Sequence, residues 1–198
     1  MDIIFKPETH EYFINGIKVP HPTGILENVG LTDFSKVPPA RLEIARKFGT
    51  AVHKACELYD KGILDEAKLD PKLKPYLDAW KKFIGDTGFK NELIEEVIGS
   101  EKYMFAGTLD RRGILKGMRT IVEIKSTYDL DTKTTAIQTG AYIIAHNEMY
   151  KQQKATRRAG VLLKPDGNYK IEHFTKSNDM NVFLSCLSVA NYKEVICH

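Results

Sequence analysis

Cysteine is scarce: Cys56, Cys186 and Cys197 are the only three in 198 residues. That is too few and too scattered for a disulfide framework, and no C-x-x-C pair suggests zinc. A reducing, cytosolic compartment is the expectation. No stretch approaches the roughly 18 apolar residues that span a bilayer, so no membrane partner is expected. The opening MDIIFKPETHEYF is charged early and lacks the apolar core of a signal peptide. Glycine (14) and proline (8) are too sparse for a long linker or a low-complexity tract. A dominant charge is missing too: 29 basic against 26 acidic residues leave a net +3. A balance that weak suits a nucleic-acid partner without demanding one. Any argument for nucleic acid must come from particular residues.

What is present reads as one mixed α/β domain over 1–198. Asn15-Gly16 between apolar stretches marks a hairpin, and Pro20, Pro22 and Gly24 then break the chain, giving a leader over 1–38. From 39 to about 61, Leu42, Ala45, Phe48, Val52, Ala55 and Tyr59 recur at helical steps. Gly49 interrupts that run: either two helices meet there or a tight contact excludes a side chain. A second helix is predicted over 71–84, strands over 93–100, 103–115 and 120–126, and a helix over 132–153. The helices and catalytic core thus fill 39–153, and 154–198 supplies two strands, 159–164 and 169–174, and a last helix, 178–192.

Chemistry concentrates in Thr120-Ile121-Val122-Glu123-Ile124-Lys125. On a strand, residues two apart share a face, so a carboxylate and an ammonium project together while Val122 and Ile124 face a core. Phosphodiester hydrolysis needs a divalent cation on the phosphoryl oxygens, an aligned water and a stabilised leaving oxygen. Hard cations take oxygen ligands, usually one or two carboxylates. Upstream, Gly107-Thr108-Leu109-Asp110 lies on the preceding strand. A hairpin near Lys116-Gly117 would bring Asp110 beside Glu123, 13 residues on (123 − 110). Gly107 would let another backbone or DNA approach closely.

This pattern, glycine, two residues, aspartate, hairpin, Glu-x-Lys, resembles the signature of the PD-(D/E)XK nucleases. Gly49-Thr50-Ala51-Val52-His53 on an early helix and Gln138-Thr139-Gly140-Ala141-Tyr142 on the helix after the Glu-x-Lys strand resemble the RecB-like exonuclease branch. His10-Glu11-Tyr12, Val19-Pro20 and Thr23-Gly24-Ile25-Leu26 are similar to the leader of phage-encoded, stand-alone members. The resemblance spans roughly residues 10 to 145.

The resemblance implies a restriction-endonuclease-like core, a central mixed β-sheet flanked by α-helices. It implies Asp110 and Glu123 as metal ligands, the Ile124 backbone carbonyl as a third, and Lys125 as the catalytic lysine. His53 would ligate the metal or touch its water. Gln138 and Tyr142, one helical turn apart, would border the site, though Tyr142 also suits a core position. An acidic residue on the first core strand is expected as well: Glu95 is favoured and Glu96 is its rival. Mg2+ is the expected cofactor, with Mn2+ able to replace it. An iron–sulfur cluster, held by four cysteines in one subgroup, is not expected from three. The implied activity is metal-dependent DNA exonuclease cleavage in recombination or repair, in a bacterial cytosol. DNA is the partner, and a helicase or a single-strand-annealing protein is a further candidate. An endonuclease or structure-specific nuclease of the same fold, or a non-catalytic nucleic-acid-binding module, is the alternative. Arg111, Arg112, Lys151, Lys154, Arg157 and Arg158 are candidate phosphate contacts; a solvated helix end is the plainer reading of the last four. Trp80 reads as core.

Overall fold

In this computed structural model, which describes residues 1–35 and 37–196, a five-stranded sheet has the order β4-β5-β6-β7-β8. Strands β4 (Lys90–Ser100), β5 (Phe105–Leu115) and β6 (Met118–Lys125) form an antiparallel meander. Strand β7 (Arg157–Leu163) then lies parallel to β6, and β8 (Tyr169–His173) closes the order antiparallel. A parallel neighbour requires a crossover. Helix α4 (Thr132–Met149) supplies it and so lands on the sheet beside the end of β6. A small sheet of β1 (Ile3–Lys6), β2 (Glu11–Ile14) and β3 (Ile17–Val19) precedes them. Its tight turn is Asn15-Gly16, both at positive φ (51° and 81°), as a two-residue hairpin of twisted strands demands.

Two apolar layers fix the sheet. On one face Phe105, Leu109 and Ile121 pack with Ala141 and Ala145 of α4 and with Phe183 and Leu187 of α5 (Asn178–Ile196). On the other, Val122, Ile124 and Val161 pack with Val52 of α2 (Pro39–Asp60) and with Trp80 and Phe83 of α3 (Lys74–Thr87). Ile121 and Val122 thus feed opposite layers, as strand alternation requires. Trp80 is fully buried, its indole N–H donating to both Asp60 oxygens at 3.0 and 3.1 Å. The chain is therefore α/β with a mixed sheet covered on both faces, the restriction-endonuclease-like arrangement expected. Among the described residues no helix is long and apolar enough to cross a membrane.

Two local expectations fail for identifiable reasons. Residues 20–24 do not break the chain; a short helix, α1 (Pro22–Asn28), starts there. Proline is tolerated in the first helical turn because its missing N–H is an orphan anyway. His21 caps that turn, Nδ1 accepting from the Gly24 N–H at 3.2 Å. A Cβ on Gly24 would lie 2.9 Å from the His21 ring, so glycine is needed for the cap rather than for a break. Helix α2 also runs through Gly49 without interruption, and a Cβ there would meet only Ser126 Oγ at an ordinary 3.8 Å. Neither sequence-based alternative for Gly49 holds. Cys56 and Cys186 are buried free thiols, and Cys197 lies outside the described residues.

Candidate active site

The site forms where β4, β5 and β6 meet α2 and α4. Ile94 pairs with Arg111 and Glu96 with Leu109, so Glu95 stands opposite Asp110 by register. Glu95 adopts φ of 50°, a left-handed conformation uncommon for a side-chain-bearing residue. Such strain costs about 1–3 kcal/mol and persists where surrounding structure imposes it, commonly at functional sites. Across from it, α2 presents His53. Its Nδ1 is 3.3 Å from Asp110 Oδ1 and 3.9 Å from Glu95 Oε1. His53, Glu95 and Asp110 offer three possible ligand atoms within 4.8 Å of one another. Glu96, the rival to Glu95, instead accepts from the Tyr150 hydroxyl at 2.8 Å, outside this cluster.

Asp110 also joins β5 to β6. Its Oδ2 accepts from the Ile124 N–H at 2.6 Å. A residue's N–H and C=O leave a strand on the same side, so the Ile124 carbonyl is directed toward the same gap. On β6 the Lys125 ammonium donates to Glu123 Oε1 at 2.8 Å and to Gln138 Oε1 at 3.0 Å. The Gln138 amide donates in turn to the Tyr142 hydroxyl at 3.1 Å. Gln138 and Tyr142 thus form a rack for Lys125 at the border of the site. An ammonium has three donors; two are engaged by these side chains, and Lys125 remains partly exposed to the cleft.

Electrostatics of the cluster are those of too many carboxylates for their cations. Burial, and then the neighbouring Asp110 charge, push both Glu95 and Glu123 up to about 7. Burial also works against an ionised Asp110, but His53, Lys125 and the Ile124 N–H outweigh it and hold its pKa low. Burial disfavours the His53 imidazolium; Asp110, Glu95 and Glu123 overcome that and raise it to about 9. Burial and the adjacent Glu123 keep the Tyr142 hydroxyl neutral, well above the usual tyrosine range. Glu123 Oε2 is buried without a hydrogen-bond partner. An orphaned carboxylate oxygen is costly, and near a set of two carboxylates and an imidazole it fits a divalent cation of the magnesium or manganese kind.

A pH dependence follows. A carboxylate whose pKa is raised on folding stabilises the protein below its ordinary value near 4, and that contribution is lost as pH rises through about 7. A cation competes with those protons. Added Mg2+ or Mn2+ should therefore raise the melting temperature more at pH 8 than at pH 6, with affinity roughly ten- to a hundredfold tighter at the higher pH. Equal shifts at the two pH values would contradict this account.

The cleft over the cluster measures ≈ 400 Å³. One wall is the small N-terminal sheet and α1: Tyr12 bonds Thr108 through their hydroxyls at 2.9 Å, and Thr23 lies 3.5 Å from the Gln138 amide. Gly107 explains itself here. A Cβ would come within 3.0 Å of Pro22 and 3.1 Å of the Tyr142 ring, so α1 and the Tyr142 ring, not another main chain, make the close approach.

Three of the arginines singled out as phosphate contacts are inside the protein. Arg111 is fully buried, held by Asp60 at 2.7 Å and Glu95 at 2.8 Å. Arg112 is buried against Tyr150, with His146, Gln153 and Glu92 as partners at 3.1, 3.3 and 3.2 Å. Arg158 is buried and donates to the Ala136 and Lys176 carbonyls, each at 2.7 Å, and to Asp179 at 2.9 Å. A guanidinium out of water must be paired; each of these has a carboxylate partner, while Arg111 Nη2 and Arg112 Nε make no hydrogen bond. Lys151, Lys154 and Arg157 are exposed. Arg157 stands apart from the cluster: it pairs with Thr120, whereas Lys125 pairs with Leu162, roughly 16 Å further along the strand at ~3.3 Å per residue.

Asp60 and the wall residues Tyr12, His21, Thr23 and Thr108 were not singled out from sequence as site residues. Asp60 left one signal: it follows His53 by seven residues (60 − 53), two helical turns along one face.

The fold and this cluster together describe a restriction-endonuclease-like protein with a candidate divalent-metal cleft. No protein family and no curated protein matches the chain. Among solved structures it is similar to a putative exonuclease from Eubacterium rectale, with TM-score 0.54, 14% identity, and coverage of 90% of this chain and 74% of that one. It also matches LHK-Exo in complex with dAMP, with TM-score 0.43, 15% identity, and coverage of 88% and 87%. At that identity the first match establishes the fold.

Proposed function

We propose that the chain is a magnesium-dependent DNA exonuclease of the RecB-like, stand-alone phage type among PD-(D/E)XK nucleases, a single domain acting in the cytosol in recombination or repair. The observation that carries this reading is the convergence of His53, Glu95 and Asp110 ligand atoms within 4.8 Å, beside Glu123 and an ammonium held by two side chains. A shared fold with a protein titled a putative exonuclease supports it.

When bound, a divalent cation supplies positive charge to the phosphoryl oxygens and to the attacking oxygen. Asp110, Glu95 and His53 would hold it, with Glu123 and the Ile124 carbonyl completing the protein's share. Mn2+ would serve in its place. Lys125 keeps an N–H for a water or a non-bridging phosphate oxygen, offsetting charge where it develops. Gln138, fixed by Tyr142, gives Lys125 a second anchor besides Glu123. The Tyr12–Thr108 wall excludes bulk water on one side. DNA is the substrate in this reading, and a helicase or single-strand-annealing protein is its working partner.

Digestion of 5′- and 3′-labelled linear duplex and single strands, against a closed circle, tests this directly. The expected result is Mg2+-dependent release of mononucleotides or short products from linear ends, with the circle intact. Cutting of the circle would replace exonuclease by endonuclease. No cleavage of any substrate with Mg2+ or Mn2+ would leave a binding module.

A further inference from the structure

Behind Glu95 lies a buried assembly that touches no solvent and that the cleavage chemistry does not itself require. Asp60 ends α2 with its side chain 1% exposed. It accepts from Arg111 Nε at 2.7 Å and from the Trp80 indole N–H through both oxygens. The Arg111 guanidinium sits 5.6 Å from the Trp80 ring centroid. One of its terminal nitrogens donates both to Glu95 Oε1, at 2.8 Å, and to the backbone carbonyl of Asp110, at 2.6 Å. A single buried cation thus grips two candidate metal ligands, one by its side chain and one by its main chain.

An arginine facing Glu95 alone would be a poor neighbour for a cation site. The guanidinium would take the whole carboxylate charge, and a divalent ion would face a neutral pair. Asp60 changes that balance. Two carboxylates flank one guanidinium, so one negative charge is left over, and it lies on the side facing His53 and Asp110. Glu95, the side chain so gripped, has a left-handed backbone (φ 50°). We propose that Asp60 is a positioning residue for the metal site, acting through Arg111 to keep Glu95 oriented toward the cleft and to leave its charge uncancelled by the guanidinium. The inference rests on the metal-site reading above. A plain buried ion pair would explain the contacts to Trp80 and Asp60 equally well. It would not explain why the same guanidinium nitrogen bridges β4 and β5 at the two residues that turn toward His53.

Calorimetric titration of Mn2+ into the full-length protein, with melting temperature measured on the same samples, separates the two. Partners behind metal ligands typically change affinity ~10–100-fold when removed. Asp60→Asn should therefore weaken Mn2+ binding at least tenfold in a folded protein. In a Glu95→Gln background the same change should cost less than about threefold more, because its route to the metal has gone. Unchanged Mn2+ affinity in Asp60→Asn, whatever happens to its melting temperature, overturns the proposal. So does an equal loss in both backgrounds. If Asp60→Asn does not fold, Trp80→Phe removes the indole donor that holds Asp60 while keeping an aromatic ring. A loss of affinity of about threefold then supports the proposal, and wild-type affinity overturns it. A wild-type protein that binds no Mn2+, or a Glu95→Gln protein that binds it normally, instead defeats the metal-site reading and this inference with it.

Discussion

Lys125→Ala should lower metal-dependent DNA cleavage by ~10²–10³-fold, the usual cost of removing one preorganised electrostatic donor, with circular dichroism unchanged. The ammonium is set by two partners, Glu123 Oε1 and Gln138 Oε1, before any substrate arrives. Its effect should fall on kcat rather than KM, because its remaining donor meets charge that develops during reaction. Asp110→Asn is the companion. The amide oxygen can still accept from the Ile124 N–H, so β5 and β6 stay joined, while the negative charge is gone. Cleavage should fall at least as far, and Mn2+ binding should weaken with it. Activity within tenfold of wild type in either purified variant would end the catalytic assignment of that residue.

The largest effect on stability should come from Arg158→Ala. Removing this side chain strands Asp179 and takes one donor from each of two main-chain carbonyls, those of Ala136 and Lys176. Breaking a buried charge pair in this way costs about 3–5 kcal/mol, or a melting temperature lower by roughly 6–20 °C for a domain of this size. Lys154→Ala, on the exposed turn nearby, should change stability by less than about 0.5 kcal/mol. If the arginine were a phosphate contact the pattern would reverse, with unchanged stability and a weaker, less salt-sensitive grip on DNA. Chemical denaturation and a salt titration of DNA binding, run on both variants, distinguish the two roles.

The contrast between those residues shows what could be read from the sequence. Glu123 and Lys125 were legible because strand alternation alone puts them on one face, and Asp110 because a hairpin of fixed length brings it back. His53, Gln138 and Tyr142 needed the resemblance in addition, since nothing local says which helix faces which strand. The buried arginines were misread through the rule that charged side chains seek water. Strand β5 is covered on both faces, and eight of its ten residues other than Arg111 are buried; there a guanidinium has no water to reach and must find carboxylates or carbonyls. Asp60 and Tyr12 escaped because their importance depends on partners 51 and 96 positions away. Helix α1 was missed because two prolines and a glycine, read one at a time, all mean a turn. Together, with His21 in front, they make a capped first turn.

The cleft's parts are spread widely along the chain. Tyr12, His53, Glu95, Asp110, Lys125 and Tyr142 belong to six different elements. Contacts of such sequence separation form late in folding, after the loop-closure entropy has been met. A chain still emerging from the ribosome before α4 therefore has no rack for Lys125. Under the proposed function, cleavage therefore waits for α4, and a shorter nascent fragment has no complete site.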